Sequence, residues 1–162
     1  MRANAKPGIS VANASAYSIT NALVVENGGS SSSFGGIALS ASTGAVSFAT
    51  VLNNVGMSGN INGIQCASSS AIDSSIVWGN TNANGTQASS SCAFTYSDVG
   101  DGVTGNGNIA SNPNLNSSTY EPNPSAPVID AANPNSHNPH DLAGIARPQG
   151  AGPDMGAYEY KP

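Results

Sequence analysis

Three stretches of this chain align on one another without a gap: "SITNALVVENGG" from Ser18, "AVSFATVLNNVG" from Ala45 and "AIDSSIVWGNTN" from Ala71. The second step is shorter than the first by a single position. Self-similarity at a period in the twenties constrains the fold more than any other feature of the sequence. A repeat this short cannot bury its own apolar face and must stack on its neighbour. Reading down the alignment gives vertical columns: Ile19, Val46, Ile72; then Leu23, Thr50, Ile76; then Val25, Leu52, Trp78; and finally Asn27, Asn54, Asn80.

The four columns lie at even spacing, so on a continuous strand they point to one face. That face is read as the interior. Trp78 is then a large interior or corner residue, in line with Val25 and Leu52, rather than an exposed platform for a sugar ring. The alternative is a phase shifted by one residue. Val24, Val51 and Val77 then face inward and Trp78 stands outside. The intermediate column of Asn21, Phe48 and Ser74 is mixed. The asparagine column has two readings that are compatible. Asn tolerates the left-handed conformation that a strand needs at a corner. Stacked Asn amides also hydrogen-bond from one coil to the next.

A second strand recurs in each repeat, since "GGIALSAS" (35–42) resembles "NGIQCASS" (62–69), again one period on. Gly-, Ser- and Asn-rich turns separate the strips, among them "NVGMSGNING" and "NTNANGTQASSS". No helical periodicity of any length is present. The expected fold is all-β: a parallel β-helix of about four to five coils over residues 1–110, followed by an irregular capping segment over 111–162. Cys66 and Cys92 are separated by one coil's length of chain. Equivalent residues of adjacent coils lie near 5 Å, within disulfide reach, so a vertical bridge is expected, with free buried thiols as the alternative. A bridge implies an oxidising, extracytoplasmic location.

Charge excludes some functions. Only 8% of residues are charged, and none of the four basic residues falls between Lys6 and Arg147. A basic groove for nucleic acid therefore cannot run along the repeats. No apolar run long enough to insert in a membrane appears. The start, "MRANAKPGIS", lacks the apolar stretch of a secretion signal, while the strand pattern begins at once with Ile9 and Val11. The expectation is a module cut from a longer secreted chain.

After residue 110 the repeat fades, prolines gather and charges return. The string "SAPVIDA…DLAGIARPQGAGPDMGAYEY" resembles the C-terminal signature of bacterial surface proteins with right-handed parallel β-helix repeats. These are the polymorphic-outer-membrane-like and "choice-of-anchor Q" proteins of the pectate-lyase-like superfamily. The match runs through Ser125, Pro127, Ile129, Asp130 and Ala131, then Asp141, Gly144, Arg147 and Pro148, then Asp154, Gly156, Ala157, Tyr158 and Glu159. "SIVWGN" (75–80) and "YSDV" (96–99) resemble coils of the same family. The order Ala126-Pro127-Val128 and the Ala132 that follows Ala131 depart from its pattern. The resemblance implies a right-handed β-helix at the C-terminal end of a secreted or cell-surface protein.

The chemistry of individual residues points to scaffold. Arg147 is the one basic side chain near Asp130, Asp141, Asp154 and Glu159, and a structural salt bridge to Asp154 or Asp130 is expected. Lyases of the superfamily take a proton α to a uronate carboxylate with a basic residue, often beside Ca²⁺. The middle coils here carry no Arg, Lys or His, which argues against that chemistry. Asp98 and Asp101 in "YSDVGDG" are a weak candidate pair for calcium, the rival being Asx turns. "HNPHD" (His137, His140, Asp141) has ligand residue types on a Pro-rich loop without fixed geometry. No catalytic residue and no required cofactor is expected. The expected function is a non-enzymatic structural or adhesive module that meets polysaccharide or cell-surface glycans. The alternatives are the end of a polysaccharide lyase or glycoside hydrolase, and a self-associating subunit.

Overall fold

The computed structural model describes all residues except 14, 41–42 and 81–85. The described residues form strands, turns and irregular segments, with no helix. In chain order the strands are β1 (Ile9–Ala12), β2 (Tyr17–Thr20), β3 (Leu23–Val25), β4 (Ile37–Ser40), β5 (Gly44–Ser47) and β6 (Thr50–Leu52). They continue as β7 (Ile64–Cys66), β8 (Ser70–Asp73), β9 (Ile76–Trp78), β10 (Cys92–Thr95) and β11 (Asp98–Val99). They make three open sheets, ordered β1-β4-β7, β2-β5-β8-β10 and β3-β6-β9-β11. Every pairing within these sheets is parallel. Through the first nine strands the chain visits the sheets in turn, and then β10 and β11 extend the second and third.

The register follows the repeat. Val46 pairs with Ile19 and Ile72, and Val51 with Val24 and Val77. Short strands of branched apolar residues fit because each inner one is held on both sides by a near copy of itself. The inner residues of all three sheets meet in one core. It contains Ile37, Leu39 and Ile64 from the first sheet, Val46, Ile72 and Phe94 from the second, and Val24, Val51, Val77 and Val99 from the third.

This core corrects the phase expected from the alignment. Val24, Val51 and Val77 are fully buried inside, whereas Val25, Leu52 and Trp78 face the opposite side of the third sheet. Even spacing from Ile19 fails because the chain turns between the two columns. Asn21, Phe48, Ser74 and Tyr96 all have φ of 45–52°. A left-handed residue between strands breaks the two-residue alternation, so inward Ile19 is followed by inward Val24. A second corner comes after the third sheet, at Glu26, Asn53 and Gly79 (φ 54–63°). The left-handed position is therefore the residue before each laddered asparagine, not the asparagine itself.

Asn27, Asn54 and Asn80 are superposed and fully buried. The Asn54 Oδ1 accepts from the Asn27 amide N–H at 2.9 Å and from its Nδ2 at 3.0 Å. Asn80 Oδ1 accepts the same pair from Asn54, at 3.0 and 2.8 Å. The Gln87 side chain continues the row beneath Asn80, at 2.9 and 3.2 Å. Gln87 thus takes the place that an asparagine holds in the passes above; residues 81–85 lie outside the described part.

The disulfide between Cys66 and Cys92 is present, with the Cα atoms 5.4 Å apart. Its geometry differs from the vertical bridge expected. Cys92 pairs with Ser70, not with Cys66. The bridge crosses a corner from the first sheet to the second, because the last pass is shorter. The pass from Ile76 to its partner Asp98 uses less chain than the pass from Thr50 to its partner Ile76.

Residues 112–160 run along the flank of the third sheet. The stack's last strands are instead covered by 100–109, where Val99 donates to the Ile109 carbonyl and Ile109 to that of Ser97. On the flank, Ala126, Val128, Ala132 and Met155 pack on Phe48 and Ile76, and Tyr120 packs on Val25 and Leu52. The Ala157 amide donates to Thr50 Oγ1 and the Gly156 amide to the Ser74 carbonyl. Gly156 has φ +89°, and a Cβ there would stand 2.6 Å from Thr50 Oγ1. Only glycine permits so close an approach.

Candidate binding groove

The flank segment has little regular structure, so its backbone donors need other partners. Carboxylates supply them, those of Asp141, Asp154 and Glu159 buried and that of Asp130 exposed. Asp141 Oδ1 accepts from the amides of Ala143 and Ile145, and its Oδ2 from Glu159. Asp154 accepts from the amides of Asp130 and Tyr160. Asp130 accepts from Gly152. Glu159 accepts from Gln149 and Asp154.

Arg147 lies at the centre of this set and corrects the expected pairing. Its ion pair is with Glu159, at 2.7 Å, both side chains almost wholly buried. Asp154 meets it through the backbone carbonyl, at 2.9 Å, because its own carboxylate is turned to amides. The guanidinium also donates to the Gly156 carbonyl and lies 4.4 Å over the Phe48 ring. Burial lowers the Arg147 pKa against the pull of Glu159, Asp141 and Asp154. Burial likewise pushes Asp154 up to about 6. The guanidinium is almost wholly enclosed, with its two terminal nitrogens on carbonyls and one carboxylate and its Nε without a hydrogen-bond partner, and it holds the segment together.

Asp98 and Asp101 are separated in their roles. Asp101 Oδ2 accepts from the amides of Gln87 and Ala88. Asp98 is fully buried, and its Oδ1 accepts from the Ser111 amide. Among the described residues no three His, Cys, Asp or Glu side chains converge as ligands for a metal ion would. The His140 main-chain carbonyl accepts from Asn21 Nδ2, tying the Pro-rich loop to the first corner column. Among the described residues no helix is long and apolar enough to cross a membrane.

The concavity with the most recognisable chemistry lies where the flank segment leaves the third sheet. It has a volume of about 340 Å³ and is lined by Glu26, Asn53, Trp78, Asn112, Asn116 and Tyr120, among others. Trp78 comes from the end of β9 and is half-buried, packed against both flank clusters. The wall opposite is a turn between Asn114 and Asn123, closed by an antiparallel bridge of Leu115 with Pro122. The side-chain oxygen of Asn116 accepts from the amides of Ser118 and Thr119 and stiffens that turn. Tyr120 donates its hydroxyl to Glu26 Oε1 at 2.8 Å, and Arg2 reaches the other Glu26 oxygen at 3.5 Å. Glu26, Asn53, Asn112 and Asn116 are exposed at the rim.

Sequence reasoning placed Trp78 on the right strand and missed the groove, because the second wall comes from beyond the repeats. Tyr120 and Asn116 carry no repeat signal that marks them. The arrangement pairs an aromatic surface with amides and one carboxylate, the usual content of a site for a polar ligand with apolar faces. Comparisons with protein-family models, with curated proteins and with solved structures find no match to this chain.

Proposed function

We propose that the chain is a right-handed parallel β-helix module of a secreted or surface-attached protein, and that it binds glycans in the Trp78 groove without transforming them. Parallel strands that return to the same sheet through a crossover are right-handed in about 98% of cases. The disulfide supports an extracytoplasmic location. The resemblance of the C-terminal signature to bacterial surface proteins supports the same setting.

One observation carries the glycan reading: the half-buried indole of Trp78 borders a groove rimmed by amides and a carboxylate, with the buried Tyr120 beneath it. A pyranose offers an apolar C–H face to an aromatic ring and hydroxyls to amides. Among the described residues Glu26 is the carboxylate lining this groove, and it is engaged by Tyr120 and Arg2. Glycoside hydrolysis needs two carboxyl groups across the bond, roughly 5–9.5 Å apart. Hydrolysis is accordingly the weaker reading, and so is lyase chemistry, because residues 7–110 carry no Lys, Arg or His to take a proton.

The test is an oligosaccharide array followed by calorimetry on the hits. Binding that falls at least tenfold in Trp78→Ala, with the thermal midpoint kept, supports the proposal. An array with no hits, or affinity unchanged in Trp78→Ala, refutes it. Turnover of polygalacturonate, with or without Ca²⁺, would transfer the chain to the enzymes.

One observation favours self-association as a second reading. Among the described residues β1 and β2 pair on one side only, and Ile9, Val11, Tyr17 and Ile19 at that end are partly buried. Unpaired edges over an open core invite another strand. Sedimentation across a hundredfold range of concentration decides it, a constant monomer mass counting against association.

A further inference from the structure

Asp98 is out of place among its neighbours. On one side its register partner is Ile76; on the other it bridges Ile109. It sits in the outward row that begins with Leu23, Thr50 and Ile76, beneath the chain that leads into the groove wall. The side chain is fully buried, Oδ1 accepts from Ser111 N–H at 3.1 Å, and Oδ2 is buried with no hydrogen-bond partner. A charged carboxylate with an unpaired buried oxygen is costly, whereas a neutral acid is far less so. The residues soon after Ser111 include Asn112, Pro113, Leu115 and Asn116, the far wall of the groove.

We propose that Asp98 is a proton-dependent latch on that wall: neutral, it holds residues 109–116 against the third sheet; ionised, it lets them open. The inference rests on the groove being the binding site, and it names how that site is regulated. Burial pushes the Asp98 carboxyl up to about 7, with the Ser111 amide pulling weakly the other way. No charged side chain comes from β9 or from residues 109–116. The nearest acids of the flanking passes are committed elsewhere: Asp73 to Thr95, Ser74 and Asn133, and Asp101 to the Gln87 and Ala88 amides.

The sign follows from the two states. In the opened wall Asp98 meets water and returns to an ordinary value near 4. The closed form therefore has its full advantage below about pH 4. It loses up to tenfold in closed-to-open ratio per pH unit until about pH 7, where Asp98 ionises in the closed form too, and is level above that. Glycan affinity follows the same course.

Amide hydrogen exchange on the whole chain tests the latch without any ligand. Protection of the 109–116 amides, corrected for intrinsic exchange, is expected to fall as much as tenfold per unit between pH 5 and 7 and to level off above. Amides of Val51 and Val77 serve as the reference for global opening. Asp98→Asn, which keeps an acceptor for Ser111 and cannot ionise, is expected to abolish the dependence. A flat profile in the unaltered protein overturns the proposal, and needs no variant. So does protection of the 109–116 amides equal in size to that of Val51 and Val77, which would mean that the wall opens only by global unfolding, or a profile that persists in Asp98→Asn. A latch seen by exchange with no glycan found on the array leaves the latch standing and removes the glycan reading.

Discussion

Replacing Asn54 with alanine probes the row of amides that aligns the passes. The Asn54 side chain makes four buried hydrogen bonds: it accepts from Asn27 N–H and Nδ2, and donates to Asn80 Oδ1 and the Val24 carbonyl. Alanine removes all four. Asn27 N–H then faces a void, since its partner is gone and water has no access. A lost buried bond costs about 1 kcal/mol, and a group left buried and unpaired costs about 1–3 kcal/mol. Some relief comes from Asn80 Oδ1, which keeps the Asn54 main-chain N–H, and from Asn27 Nδ2, which keeps the Met1 carbonyl at 3.3 Å. The sum is about 4 kcal/mol. For a chain of this size that lowers the thermal midpoint by about 10 °C. Urea unfolding checks it, with the midpoint shifted and the slope unchanged. Asn53→Ala is the contrast, one residue earlier, exposed and in a left-handed corner. It is expected to cost about 1 kcal/mol, the conformational preference alone. An Asn54→Ala loss below about 1 kcal/mol, or one equal to that of Asn53→Ala, would show that the row aligns nothing.

Arg147→Met leaves Glu159 buried without its cation and is expected to destabilise by about 3–5 kcal/mol; pairing it with Glu159→Gln in a double-mutant cycle recovers part of the loss. Gly156→Ala drives a Cβ against Thr50 Oγ1 and Ile76 at a left-handed backbone and costs at least about 2 kcal/mol, read by chemical denaturation. Reducing the Cys66–Cys92 bond, which spans a sequence separation of 26, lowers stability by about 3.5 kcal/mol, seen as a shifted melt in reductant. Two buried acids, Asp98 pushed up to about 7 and Asp154 to about 6, ionise more readily unfolded. Their contribution is whole near pH 4 and is lost as pH rises, so the thermal midpoint falls from pH 5 to 7 and Asp98→Asn flattens the slope.

The repeat was legible because stacking in register makes each position answer to its counterpart one pass away. Val46 under Ile19 and Asn54 under Asn27 are local facts of the alignment, and they carry over to the pairing unchanged. The facing of each column was not legible. It depends on a backbone angle at Asn21, Phe48 and Ser74, three residues with no common chemistry. The fate of Trp78 turned on that angle. The cysteines gave the right pair with the wrong geometry, since the shortening of the last pass is not visible in their spacing. Arg147 was recognisable as the hub of the acidic cluster. Its partner was not, because the choice among Asp130, Asp154 and Glu159 depends on which carboxylates the irregular backbone claims for its own amides.

Sequence alone determined that this chain is all-β, built of short parallel strands at a period in the twenties and tied by an asparagine row, because those features arise from like residues lying over like. Tertiary structure alone decided that the C-terminal segment lies along the flank, that Trp78 faces a groove, and that Asp98 is buried beneath the groove's wall. These depend on contacts as distant in sequence as that of Thr50 with Ala157, which obey no period and are chosen only by how the folded surfaces fit.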